Sequence, residues 1–481
     1  MIDAPPTILK MRKGDRTIVI LDTLNIWRMP LKAIGKSIGL PKLEMPPEDA
    51  SKEDWDTYGK RDVEIIMRAV MMWCDMLHDE DLGGFAPTLA GQALRTFRHR
   101  FMKHKILIDN HSAALECSRA CYHGGRTEAF YIGKDTGDYY LVDVHSMYPT
   151  VMQRYLFPTE IQGYSYSVSV EDLAAYLKKY LVCARVRVNT PEPCYAIHQR
   201  DKLLFPTGAF DAALSSPELA YGLSRGHIVG VYDCACYKRA PIFRAFVDEL
   251  YSRRLQARAN HEDVLAWQIK ILMNSLYGKF GQRGRVYDTV ETTPDLTPRS
   301  WTDFDADTGE PRTFRQIMGQ VQVLKHEGES TQSHPAIAAH VTAYARMLLW
   351  HYITVAGHEN VFYVDTDSLL VNKAGYDALG EYIHPDSLGL LGLEDRFTDI
   401  DLRGPKDYTM GERVKVKGVK ASARWVTEDT VEQEQWSGIR GLLRADSLDM
   451  PRTKTIRKHL HRVYDKGVVG PSGRVSPFVL G

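Results

Sequence analysis

The sequence predicts an α+β protein built from several subdomains, on three observations. The chain has 481 residues, beyond the size at which a single hydrophobic core keeps growing. Short apolar runs of β character end on carboxylates, at Asp143 and again at Asp365. Between them, residues 241–282 carry the periodicity of two helices broken near Asn260-His261, a helical hairpin.

Taken in order, residues 17–21 (TIVIL) read as a strand. Residues 54–78 read as a helix with Ile65, Ile66, Ala69, Val70 and Trp73 on one side. Residues 139–142 form a short strand that ends at Asp143, and Pro149 permits a helix to start behind it. Residues 171–240 are mixed α/β, and within them 180–188 alternate like a strand with one wet face. Residues 284–332 are polar and punctuated by turn residues, an inserted loop or small β-element. Helix returns over 334–355, and 361–371 form a hairpin with Asp365-Thr366-Asp367 at its tip.

Apolar residues make up 44% of the chain and charged ones 25%, the balance of a folded protein and not a disordered one. No run of about 18 apolar residues exists, so no membrane span is expected. The first residues lack the pattern of a secretory or organelle signal, which predicts a cytoplasmic protein. Seven scattered cysteines without a CxxC pair predict ordinary buried thiols in a reducing compartment, not a zinc site. Lys plus Arg equals Asp plus Glu at 61 each, so net charge carries no nucleic-acid signal. Residues 403–481 hold 16 Lys and Arg against 9 Asp and Glu. There Lys454, Lys458, Arg462 and Lys466 recur every four residues, which predicts a basic helix face able to track phosphates.

The two strand ends have a chemical reading. Two metals about 4 Å apart need carboxylates shared between strands, and Asp143 with Asp365 supply them, Asp367 standing beside. Magnesium prefers such oxygen ligands, and manganese can take its place. On the second hairpin helix Lys270, Asn274, Tyr277 and Gly278 fall at i, i+4, i+7 and i+8, one face. Lys270 can neutralise a triphosphate as charge moves to the leaving pyrophosphate, and Tyr277 offers a flat ring. Arg258, on the other arm, can reach the same phosphates. Trp267, Ile271 and Leu272 are expected to form the buried side of that helix.

These three segments resemble motifs A, B and C of family B DNA polymerases, of the compact viral and plasmid, protein-primed kind. Tyr122-His123-Gly124-Gly125-Arg126 resembles that family's YxGG motif, Lys406-Asp407-Tyr408 its KxY motif, and Lys417-Gly418-Val419 the segment that follows. The order is that of the family. The resemblance implies a right-hand fold with an antiparallel palm sheet, helical-hairpin fingers and a small thumb, after a partial RNase H-like exonuclease domain. Expected boundaries are 1–100 for the partial exonuclease, 101–160 and 336–420 for the palm, 161–240 and 283–335 for two insertions, 241–282 for the fingers and 421–481 for the thumb. It implies Asp143 and Asp365 as ligands of two magnesium ions, with Asp367 near the primer end. Tyr148 would stack under the sugar and exclude a 2′-hydroxyl. Arg258, Lys270, Asn274 and Tyr277 would bind the nucleotide. Tyr122, Gly124, Gly125, Arg126, Thr366, Lys406, Tyr408 and Lys417 would bind DNA.

The implied activity is DNA-templated DNA synthesis on a viral or plasmid genome, in the cytoplasm of a bacterial host, with primer-template DNA and dNTPs as partners and a terminal protein as a further candidate primer. Tyr58-x3-Asp62 fits the last exonuclease motif, whereas no upstream Asp-x-Glu pair accompanies it. The expectation is therefore no 3′–5′ editing by this polypeptide alone, with a separate polypeptide supplying the exonuclease half as one alternative and a silent DNA-binding remnant as another. The two insertions occupy the places where protein-primed relatives contact terminal protein and encircle the template. An RNA-templated enzyme is disfavoured, because motif C lacks adjacent aspartates and Lys-x3-Asn-Ser-x-Tyr-Gly is present.

Overall fold

A computed structural model describes residues 8–295, 297, 299–305, 308–317, 319–436 and 453–481. The chain folds into two compact units. The first combines the described residues up to Lys103 with Ile242–Ser330. The second combines His104–Pro241, Thr331–Trp436 and Thr453–Gly481.

In the first unit the long helix Lys52–Asp79 starts at a capping box, Ser51 and Asp54 satisfying each other's backbone N–H. Ile65, Ala69, Trp73 and Leu77 recur every four residues and form its buried stripe. The helical hairpin is present as Arg244–Ala259 and Asp263–Phe280. Its rings Phe243, Phe246 and Phe280 pack against Phe97 and Phe101 at centroid distances of 5.4 to 6.1 Å. The second hairpin helix buries Ile269, Leu272, Met273, Leu276 and Phe280. Trp267 and Ile271, expected on the buried side, are only half-buried. The polar stretch after the hairpin is a four-stranded antiparallel sheet, in the order Arg283–Thr292, Gln320–Glu329, Pro311–Ile317, Arg299–Phe304. The predicted first strand is present as Arg16–Leu21, paired with Ile8–Lys13.

The second unit is built on a seven-stranded antiparallel sheet. Its order is Arg413–Val416, Asp407–Met410, Leu391–Gly404, Gly133–Val144, Ser368–Asn372, Val361–Asp365, Thr127–Ala129. The strand Gly133–Val144 is covered on both faces. Tyr140, Val142 and Val144 enter one apolar cluster, while Tyr139 and Leu141 enter another, as the two-residue period requires. The first cluster also takes in Leu349 and Ile353 of the helix Pro335–Ala356, and Val182, Val186 and Leu214 of a five-stranded sheet. That sheet runs Val479–Leu480, Thr207–Ser215, Leu181–Thr190, Ile228–Ala240, Phe157–Tyr166. Leu181–Thr190 is its central strand: Val182, Ala184, Val186 and Val188 are buried, while Arg185 and Arg187 on the other face are half-exposed, the alternation with one wet face expected for 180–188. Arg185 is accommodated by an ion pair with Asp233, the partner opposite it.

The basic helix expected at 454–466 is not formed. Thr453–His459 is a strand of a three-stranded sheet with Thr430–Trp436 and Arg424–Thr427. A four-residue spacing is even, so it keeps Lys454 and Lys458 on one face of a strand as well as of a helix. Beyond it, Arg462 pairs with Asp407 and Asp429, and Lys466 donates to the carbonyl of Thr127. Among the described residues no helix is long and apolar enough to cross a membrane. Six of the seven cysteines are buried free thiols, and Cys74 is half-buried.

Candidate active site

Strand register brings the two strand-end carboxylates together. Asp143 is opposite Ser368, and Ser368 is opposite Asp365. Directly opposed residues share a sheet face, so Asp143 and Asp365 project to the same side, two strand spacings or about 10 Å apart at Cα. Both line a cavity of about 320 Å³, with Asp367, Lys406, Tyr408 and Arg413 around it.

The turn between the carboxylates is held from outside. Thr366 has φ +68°, unusual for a β-branched residue. Its N–H donates to the Arg126 carbonyl at 2.6 Å, the Asp367 N–H donates to the Asp365 carbonyl at 2.8 Å, and the Asp367 carbonyl accepts from Val144 N–H at 2.8 Å. Ser146 and Lys406 also have positive φ, +53° and +59°. Thus three non-glycine residues beside this cavity hold backbone conformations that cost energy elsewhere in a chain.

Asp365 Oδ1 accepts from Thr127 Oγ1 at 3.0 Å and pairs with Lys406 Nζ at 3.1 Å. Lys406 is placed by its own N–H, which donates to the Tyr363 hydroxyl at 2.8 Å. The Tyr363 ring meets that of Tyr408 edge-on at 5.4 Å. Burial, and after it the charge of Asp365, pushes the Tyr363 phenol up. Burial raises the Tyr408 phenol as well. Both therefore remain neutral hydroxyls at ordinary pH. The acceptors converging here are all oxygen, from Asp143, Asp365 and Asp367, a set that suits hard divalent cations.

The loop Tyr122 to Arg126 lies against this turn. A Cβ on Gly125 would stand 2.8 Å from Thr366 Cγ2 and 3.2 Å from the Tyr148 hydroxyl, so only glycine fits. Tyr148 is half-buried on the helix Met147–Arg154, Gly124 is exposed, and Tyr122 is half-buried beneath the Arg119 guanidinium. Arg126 departs from its expected place on DNA. It is 2% exposed, pairs with Glu128 at 2.6 Å and donates to the Pro193 carbonyl at 2.8 Å. Its backbone carbonyl, and not its guanidinium, serves the turn. Lys417 is exposed, with its carbonyl accepting from Lys458 Nζ.

Three contributors escaped the sequence reading. Thr127 grips Asp365 from the neighbouring strand. Arg346 donates to the carbonyls of His123 and Gly124 at 2.9 and 3.0 Å while paired with the fully buried Glu218 at 2.7 Å. An arginine inside an otherwise apolar helix was the available signal, since a buried charge requires partners. In the first unit Lys42 bonds the Tyr58 hydroxyl at 2.7 Å and ion-pairs with Asp62, joining the two residues of the nuclease-like motif. Burial alone would lower the Lys42 ammonium, but those partners raise it.

The remaining predicted residues lie together on the helical hairpin of the first unit. Lys270 is exposed, and its carbonyl accepts from Asn274 Nδ2 at 2.8 Å. Tyr277 is half-buried and Gly278 exposed on the same helix, with Arg258 exposed on the preceding one. One turn before Arg258, the half-buried Arg254 has its guanidinium lowered by burial and then by Arg258.

Comparison with known proteins agrees with this architecture. The family model for DNA polymerase type B, organellar and viral, matches residues 42–317, more than half of the chain. A probable DNA polymerase of Neurospora intermedia is 23% identical over 336 residues, 67% of this chain and 34% of that protein. The DNA-directed DNA polymerase of Enterobacteria phage PRD1 is 23% identical over 395 residues, 81% of this chain and 66% of that one. The chain spans about a third of the length of the Neurospora intermedia and Ascobolus immersus relatives it matches. Among solved structures, Phi29 DNA polymerase in a ternary complex with primer-template DNA and incoming nucleotide superposes with a TM-score of 0.71 at 18% identity, over 94% of this chain and 83% of that one. The chain thus has the fold of Phi29 DNA polymerase and belongs to the organellar and viral type B DNA polymerases.

Proposed function

We propose that this protein is a DNA-templated DNA polymerase that adds deoxynucleotides to a primer 3′ end, or to a terminal protein, in the replication of a viral or plasmid genome. The observation that carries this reading is the register Asp143–Ser368–Asp365, which aims two carboxylates from separate strands into one cavity. Those carboxylates would hold two magnesium ions, or manganese, which supply a more acidic primer 3′-hydroxyl and neutralise charge on the leaving pyrophosphate.

The other roles belong to the chain's own groups. Thr127 and Thr366 keep Asp365 aimed, and Lys406 takes up its charge before substrate arrives. Tyr408, Lys406 and the exposed Lys417 hold the primer backbone in this reading. Tyr148 narrows the space at the sugar. Lys270, Arg258 and Asn274 bind the triphosphate, and Tyr277 lies against the new base pair. We assign no 3′–5′ editing to this polypeptide.

Extension of a labelled primer-template by the pure chain, with magnesium and dNTPs, tests the reading. The unmutated chain is expected to extend the primer and Asp365→Ala to abolish extension. An unmutated chain that never extends, or an Asp365→Ala variant that extends normally, would sink it. Resection of a labelled single strand by the unmutated chain would overturn the assignment of no editing.

A further inference from the structure

The five-stranded sheet carries a second cluster of chemistry-bearing side chains, in the second unit but outside the carboxylate cavity. After the strand Leu181–Thr190 the Thr190 hydroxyl accepts from the Glu192 N–H at 2.9 Å and donates to the Glu192 carbonyl at 3.0 Å. The Cys194 N–H returns to that same carbonyl at 2.9 Å, so Glu192 and Cys194 sit on one tight turn. Opposite, the helix Ser216–Arg225 stops at Gly226, φ +69°, which delivers His227 beside that turn. The His227 carbonyl accepts from Asn189 N–H at 2.8 Å, locking the two segments together.

The carboxylate, thiol and imidazole donor atoms of Glu192, Cys194 and His227 lie within 4.8 Å of one another. Cys194 and His227 are buried, whereas Glu192 also lines a cavity of about 630 Å³ through which an ion and a water can enter. Outer partners orient the ligands. The Tyr221 hydroxyl donates to Glu192 Oε2 at 2.5 Å and receives Trp350 Nε1 at 3.2 Å, and the Tyr195 hydroxyl meets His227 Nδ1 at 2.9 Å. Hydrogen-bonded ligands of this kind characterise metal sites.

We infer that Glu192, Cys194 and His227 bind a single thiophilic divalent ion, zinc by donor chemistry, with water as the fourth ligand. A sulfur, a nitrogen and an oxygen donor suit zinc and not magnesium. Cys194 binds as the thiolate: the metal–sulfur bond forms and the thiol proton leaves to solvent. The ion clamps the end of Leu181–Thr190 to the start of Ile228–Ala240 and takes no part in the carboxylate cavity. Cysteine spacing alone pointed away from zinc, because these ligands come from segments 33 residues apart.

The test uses the full chain stripped by a chelator and titrated with cobalt(II), then zinc. A sulfur-to-cobalt charge-transfer band is expected, displaced by zinc. The band should be lost in Cys194→Ser and His227→Gln and kept in Cys74→Ser. Chelation should lower the melting temperature of the unmutated chain and leave that of Cys194→Ser unchanged. X-ray absorption of the zinc-loaded unmutated chain should show one sulfur neighbour, a readout that stands even if the variants misfold. No charge-transfer band in the unmutated chain, a band that survives Cys194→Ser, or a zinc shell without sulfur would each overturn the inference.

Discussion

At the scale of single residues, precision at Asp365 depends on groups that do not themselves face substrate. Thr127 donates one hydrogen bond, at 3.0 Å, to the Asp365 carboxylate. Replacing it by valine keeps the shape and removes the donor, a loss of about 1 kcal/mol. Thr127→Val is therefore expected to slow primer extension by roughly fivefold while changing the melting temperature little. An unaltered single-turnover rate would show that Thr127 does not position Asp365. Asp143 and Asp365 were legible in the sequence because a carboxylate that closes an apolar strand is a local pattern. Thr127 was not, since its partner is 238 residues away and nothing local distinguishes it from any strand threonine. Arg126 misled for the converse reason. A cation in a glycine-rich loop reads as a phosphate ligand, whereas its partners Glu128 and the Pro193 carbonyl appear only once the chain is folded.

At the scale of elements, the helix Pro335–Ala356 matters through one charged residue. Arg346 fixes the carbonyls of the glycine loop and neutralises Glu218, both side chains being at most 1% exposed. Arg346→Ala leaves the buried Glu218 carboxylate with the Ser215 N–H but without its counter-ion, so a loss of about 3–5 kcal/mol is expected in denaturant unfolding. A loss below 1 kcal/mol would mean that Glu218 finds another partner. Long elements with one clear period were readable: the helices Lys52–Asp79 and Asp263–Phe280 fall where the sequence placed them. The strand Thr453–His459 was not, because spacing by four satisfies both periods. The β-branched Thr453, Thr455 and Ile456 were the better guide. Similarly, Trp267 and Ile271 look like core by composition, but the packing of Phe97 and Phe243 against Phe280 sets which face is covered.

At the scale of the whole molecule, equal numbers of acidic and basic residues make pH dependence a matter of individual buried groups. Burial lowers the His123 imidazole to about 3 and the His334 imidazole to about 4, from an ordinary 6.5. Both are neutral in the folded chain and protonate readily once unfolded. The unfolded chain therefore binds more protons below about pH 6.5, and stability falls as pH drops from there toward the folded values. The melting temperature is expected to decline between pH 7 and pH 5. His334→Phe, which removes two buried ring nitrogens without hydrogen-bond partners, should flatten that decline. An unchanged slope would place the dependence elsewhere.

The conformations of Ser146, Thr366 and Lys406 set a limit on engineering this protein for heat resistance. A design procedure that scores only folding free energy would choose glycine at Thr366, gaining about 1 kcal/mol at that φ, less what the freer unfolded chain takes back. The same change would let the two carboxylates wander. Thr366→Gly is thus expected to melt no lower than the parent and to synthesise DNA more slowly, so durability and turnover pull in opposite directions at this turn. Selection for thermal tolerance alone would erode the catalyst, and a screen for robust variants has to read synthesis and melting together.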